Sequence, residues 1–183
     1  MTLIRSPSQV EIDGPLIYLA GPISDTANWR ADAVRYLTKI DPTIHVADPR
    51  GARPFRVDMA EQFEWERNHL RLAGTSGAIL FWFPCPGPGA GTSYAVRSLL
   101  NLGEWATRAQ ENRQLAPIVV VGIEAKFPGE VYLRRRLAED FPRTLLCGGL
   151  RKVCVAAVSL VRQRVTINDE ARAAIGFFDE DDD

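Results

Sequence analysis

Cysteine, histidine and methionine are scarce in this chain of 183 residues, which holds three, two and two of them. The cysteines (Cys85, Cys147 and Cys154) are odd in number and lack metal-ligand spacing. That excludes a disulfide framework and a zinc-ribbon pattern, and they read as reduced thiols of a cytoplasmic protein. His45 and His69 are far apart and make neither a metal-binding pair nor a nucleophile pair, so structural roles are expected for both. No G-x-S-x-G elbow and no Ser/His/Asp order occurs, which removes the common hydrolase designs. No metal and no cofactor is expected. Charge of one sign is also missing: 22 Lys and Arg against 23 Asp and Glu leave a net −1. No global field draws the chain to a nucleic acid polymer or an anionic membrane. No apolar run approaches the ~20 residues of a membrane span, and "MTLIRSPSQVEIDGP" has no signal-peptide core.

What is present is an ordinary globular composition, 46% apolar and 25% charged, enough for one domain with a substantial core. Residues 1–14 are mixed and polar and read as a loose arm. "LIYLA" (16–20), "TIHVA" (43–47), "AILFWF" (78–83), "APIVVVGI" (116–123) and "TLLC" (144–147) are short β-rich apolar runs, expected as strands. Between and after them, 28–40, 59–73, 92–108, 129–140 and 150–165 carry helical spacing. In the second of these, Phe63, Glu66 or Arg67, and Leu70 alternate around the helix. Five strand–helix alternations predict an α/β flavodoxin-like doubly wound sandwich, a mostly parallel five-stranded sheet in order 2-1-3-4-5 with helices on both faces. One domain is expected over 15–175, followed by an acidic tail, 176–183, whose "DEDDD" end reads as a solvated solubility device.

In such a sheet the ligand cleft lies beyond the carboxyl ends of the strands. Three loops leave those ends: "GPISDTANWR", "DPRGARPFRVD" and "PCPGPGAGTS". The third has glycines but fails both phosphate signatures. No lysine follows for a Walker loop, and Gly87 and Gly89 are followed by Thr92 rather than glycine. Its N–H groups and the Thr92 or Ser93 hydroxyls still suit a polar ligand. The second loop supplies Arg50, Arg53 and Arg56, which loop position alone would leave solvated.

"IYLAGPI" with "NWR", "ADPR", "FEWERNHLRLA", "ILFWFP" and "SLLNLGEWA" followed by "PIVVVGI" resemble the nucleoside 2-deoxyribosyltransferase family over residues 16–124. The resemblance implies a small-molecule nucleoside or nucleotide partner, cleavage of its N-glycosidic bond with sugar transfer or hydrolysis, and a homo-oligomer. It also implies a glutamate nucleophile at the head of a Glu-Leu-Gly triplet, attacking the anomeric carbon as retaining glycosidases do. Here the triplet reads Asn-Leu-Gly, so Asn101 stands at the nucleophile position. The acidic residue the family places before the third strand corresponds to Gly77, and Tyr18 matches an aromatic position lining the pocket. Gly21, Pro22, Asn28, Trp29, Arg50, Gly77, Thr92 and Ser93 complete the expected substrate-binding set with Tyr18.

Asparagine forms no glycosyl ester, and three accounts of it stand. In the first the chemistry has moved, to Glu104 one turn along the helix or to Glu64 or Glu66 on the preceding one. A bland alternative makes Arg97, Glu104 and Arg108 a solvated charge pattern. In the second account Asn101 holds sugar hydroxyls while water attacks, which requires a separate base such as Asp25, Asp48 or Asp58. In the third the chain is an inactive nucleoside- or nucleotide-binding protein, in which a neutral amide and the loop arginines tolerate a phosphorylated ligand.

Overall fold

Strands apolar on both faces belong in the middle of a sheet covered on both sides. "LIYLA" and "AILFWF" are buried at every position. In the computed structural model, which describes residues 1–51, 58–111 and 116–176, they form β2 (Leu16–Ala20) and β4 (Ala78–Phe83). These pair in parallel through Ile17–Ala78 to Ala20–Phe81. Around them run β1 (Leu3–Arg5), β3 (His45–Asp48), β5 (Ile118–Ile123) and β6 (Leu145–Cys147). The six-stranded sheet has order β1-β3-β2-β4-β5-β6, and every pairing is parallel. Without β1 this is the expected 2-1-3-4-5 order.

The expected loose arm is therefore corrected. Leu3–Arg5 pair with Val46–Asp48 and bury Ile4 to 1% exposure. Three residues are too few to show alternation, so the partner strand, not the pattern, makes this edge.

Alternate residues of each strand feed opposite layers, as the two-residue repeat of a strand requires. Ile17, Leu19, Leu80, Trp82 and Val120 meet α1 (Trp29–Ile40) and α5 (Leu150–Gly176) through Ala33, Leu37, Val153 and Ala157. Tyr18, Phe81, Phe83 and Val121 meet α2 (Met59–Ser76) and α3 (Val96–Glu111) through Trp65, Ala73, Leu102 and Trp105, with α4 (Glu130–Asp140) adding Leu137. α5 runs eleven residues past its expected end at Val165, because no proline or glycine occurs before Gly176. α3 starts at Val96 rather than Thr92, because Ala95 takes a left-handed backbone, φ 63°, that a helix cannot contain. Among the described residues no helix is long and apolar enough to cross a membrane.

Candidate active site

At the carboxyl end of β2 the chain turns through Gly21 and Pro22. Gly21 has φ +147°, and a Cβ there would sit 2.3 Å from the Trp82 carbonyl oxygen and 2.8 Å from the Trp29 ring. Only glycine fits. The turn is clamped from below by Arg30, whose guanidinium donates to the Gly21 and Pro22 carbonyls at 2.6 Å each. Trp29 adds an indole N–H bond to Pro22 O at 3.2 Å.

Arg30 is 2% exposed and Asp48 fully buried, an arrangement tolerable only with pairing. Asp48 lies 3.4 Å from the Arg30 Nε and receives Arg50 Nη2 at 2.7 Å and Arg50 Nε at 3.1 Å. Burial pulls the Arg30 pKa down to about 10 against the pull of Asp48, leaving it a cation at neutral pH. Arg50 spends its remaining nitrogen, Nη1, on the Asn28 side-chain oxygen. Arg50, Asn28 and Trp29 thus brace the cleft floor and do not line it. Arg53 and Arg56 lie outside the described residues.

The cleft itself is a cavity of about 140 Å³ bounded by Tyr18, the Gly21–Asp25 loop, Glu66, the segment from Ser93 to Ser98, and Asn101. Tyr18 is 2% exposed. Burial, and next the negative Glu66, push its pKa well above that of a free phenol, so it stays a neutral hydroxyl. The glycine-rich loop is stitched to the Gly21–Asp25 loop by Gly87 N–H donating to Asp25 O at 2.7 Å. It is stitched to the residue that follows β5 by Cys85 N–H donating to a Glu124 carboxylate oxygen at 2.6 Å. Ser93 faces the cavity, whereas Thr92 does not line it.

The expected residues thus separate. Asn101, Tyr18, Gly21, Pro22 and Ser93 converge on one cavity. Gly77 is corrected to the opposite edge of the sheet, at the amino end of β4, where a Cβ would lie 1.8 Å from Leu16 O. That glycine is required by strand packing. Glu104 pairs with Arg108 at 2.7 Å on the half-exposed outer side of α3 and lies outside the cavity. Glu64 is likewise paired outside, with Arg67 at 2.6 Å. Of the candidate bases, Asp48 is locked by arginines, Asp58 heads α2 without lining the cleft, and Asp25 sits on the exposed rim. His69 stacks on Trp65 at 3.9 Å, and His45 bridges Thr2 N and Asp13 O, so both histidines are used in packing.

Glu66 is the half-buried carboxylate that faces the cavity beside Asn101. Among the described residues its hydrogen-bond partner is Gln62, whose amide donates to Glu66 Oε1 at 2.7 Å and to Pro49 O at 3.0 Å. The Gln62 oxygen accepts from Ser6 Oγ, the buried residue that follows β1. The unexpected edge strand therefore fixes the amide that fixes the carboxylate. In the sequence Glu66 is equivalent to Glu64 and Glu104 as an acid near Asn101, and only packing separates it from them. Arg97 is the one cation among the described residues that line the cleft, and it makes no ion pair among them. Among the described residues no three His, Cys, Asp or Glu side chains converge as a metal site.

A family model described as "Nucleoside 2-deoxyribosyltransferase like" matches residues 14–117 of the chain. No curated protein matches it.

Proposed function

The chain belongs to the nucleoside 2-deoxyribosyltransferase-like family, and from that premise we propose that it hydrolyses the N-glycosidic bond of a (deoxy)nucleoside or nucleotide, with Glu66 as the base. The observation that carries this reading is the pairing of Asn101 and Glu66 on one cavity wall. A neutral amide offers a donor and an acceptor to sugar hydroxyls but no carboxylate for a glycosyl ester. Attack then falls to water. Its oxygen bonds to the anomeric carbon while the carbon–nitrogen bond breaks and its electron pair leaves with the base. Glu66 accepts one proton from the water, and a proton reaches the departing base through solvent, so the net reaction adds one water and frees sugar and base. Arg97 at the mouth offers positive charge to the departing base or to a sugar phosphate.

The single displacement inverts the anomeric centre, whereas an ester-forming relative retains it. Incubation with deoxynucleosides and a second base tests the reading. Free base without exchanged nucleoside is the expected product, and Asn101→Glu is expected to add exchange. A second reading, a nucleoside- or nucleotide-binding protein, is favoured by the uncharged Asn101 beside Arg97, which makes no ion pair among the described residues. It predicts tight binding by calorimetry with no base released by the wild-type chain.

A further inference from the structure

On the α1–α5 side of the sheet a groove lies over the carboxyl ends of β4 and β5. Trp29, Trp82 and Ile123 floor it, and Leu150, Val155 and Ala156 give it an apolar wall along α5. The two tryptophans are buried, whereas Val155 is left 46% exposed. The volume, about 1170 Å³, exceeds the roughly 300–1,000 Å³ of small-molecule sites and suits a length of peptide.

Among the described residues three acids and three bases line this groove, and they are not used alike. Asp32 pairs with Arg35 and Glu130 with Arg134, each at 2.8 Å, and Glu124 accepts the Cys85 N–H at 2.6 Å. Arg151 and Lys152, exposed in the first turn of α5, make no ion pair among the described residues. Gly149, just before that turn, has no side chain to cap it with, so the N-terminal N–H groups of a 27-residue helix add to the same positive end. Positive charge therefore stands unmatched beside apolar and aromatic surface. The occupant that fits is a segment with aromatic residues next to acids.

This chain contains such a segment. Residues 177–183, which lie outside the described residues, read Phe-Phe-Asp-Glu-Asp-Asp-Asp. Reach decides which groove they can enter. The groove extends along α5 only as far as Ser159, and the helix ends at Gly176, a rise of about 25 Å. Phe177 and Phe178 follow the helix directly, and two extended residues span only about 7 Å. Their own groove is out of range. α5 also carries them away from its own core: Val161 is the last buried residue, and 166–171 are exposed.

We propose that the α1–α5 groove takes the 177–183 segment of a second copy of this chain, with Phe177 and Phe178 on the apolar wall and the acids against Arg151 and Lys152. Such a contact joins two different surfaces, so it repeats head to tail into a ring or an open chain. It is independent of the chemistry in the cleft.

The test uses two full-length variants. Phe177→Ser with Phe178→Ser disables the segment and frees the groove, and Arg151→Glu with Lys152→Glu reverses the charge of the groove at exposed positions; circular dichroism verifies both folds. A synthetic peptide of residues 177–183, titrated calorimetrically into the first variant, is expected to bind. Adding Arg151→Glu and Lys152→Glu should weaken it about tenfold or more, and raising salt from about 0.05 to 0.5 M should weaken it further. In sedimentation, wild type is expected to associate as concentration rises and each variant alone to associate less. An equimolar mixture of the two variants should form a pair, because one supplies the segment and the other the groove. Excess peptide should dissociate wild-type assemblies, a readout that needs no variant. Equal sedimentation of wild type and both variants overturns the proposal, and so does a peptide that does not bind the first variant. Binding of adenosine monophosphate or inorganic phosphate that is lost with Arg151 and Lys152, with no peptide bound, also overturns it and makes a small anion the occupant.

Discussion

Asp48 and Glu66 stand on two sides of the same floor, and their surroundings give them opposite uses. Asp48 is buried at the end of β3 and surrounded by Arg30, Arg50 and, at 4.0 Å, Arg5. Its oxygens are turned to those guanidinium groups, and it does not line the cleft. Glu66, on α2, has one oxygen held by Gln62 and faces the cavity. One carboxylate is enclosed by its partners; the other, among the described residues, has a single side-chain partner and faces the cleft. The pair teaches that residue type and loop position do not identify a base. What surrounds it does.

The comparison breaks most visibly at Asp48. Asp48→Asn leaves Arg30 buried without a counter-charge, and a loss of about 3–5 kcal/mol is expected, read as a fall in the urea midpoint. A midpoint within experimental error of wild type would place the stabilisation of the Gly21–Pro22 turn elsewhere. Glu66→Gln is expected to do the converse: unfolding free energy within about 1 kcal/mol of wild type and base release down about 10²–10⁴-fold. Ser6→Ala sharpens the link between them by freeing the Gln62 amide. It should cost about 1 kcal/mol in the same melt and lower turnover while nucleoside affinity holds.

Two smaller effects mark the edges of the comparison. Burial depresses the His69 pKa below 6.5, with the Trp65 carbonyl opposing it. A depressed pKa means that the neutral ring favours the fold. The stabilisation is therefore present above about pH 6.5 and fades as acid takes the pH down through the folded value. Stability plotted between pH 7.5 and 5 should decline in the wild type and decline less in His69→Gln. Glu104→Gln removes only an exposed pair worth about 0–1 kcal/mol and should leave base release unchanged. Loss of activity there would move the base outward along α3.

The central fold was legible because burial on both faces writes itself into composition: "LIYLA" and "AILFWF" could be little else than inner strands. The sheet order followed from strand–helix alternation. The edge strand was not legible, because three residues carry no period, and neither was the late start of α3, which depends on the left-handed turn at Ala95. In the site, Asn101 and Tyr18 were found through the family resemblance and share a cavity. Gly77 was misplaced because a residue preceding a parallel strand lies at the amino edge, away from the ligand. Arg50 read as a ligand contact, but its charge is consumed by Asp48, a partner two residues away that a linear reading treats as an independent candidate. Phe63 and Leu70 joined the expected periodicity of α2, yet the core takes Leu70 with Trp65 and leaves Phe63 outward.

The most direct test is the initial rate of free-base release from a deoxynucleoside panel by wild type, Glu66→Gln and Glu104→Gln, measured side by side. The account predicts release by wild type, a fall of about 10²–10⁴-fold for Glu66→Gln and no change for Glu104→Gln. Equal rates for wild type and Glu66→Gln, or release seen only after Asn101→Glu, would contradict it.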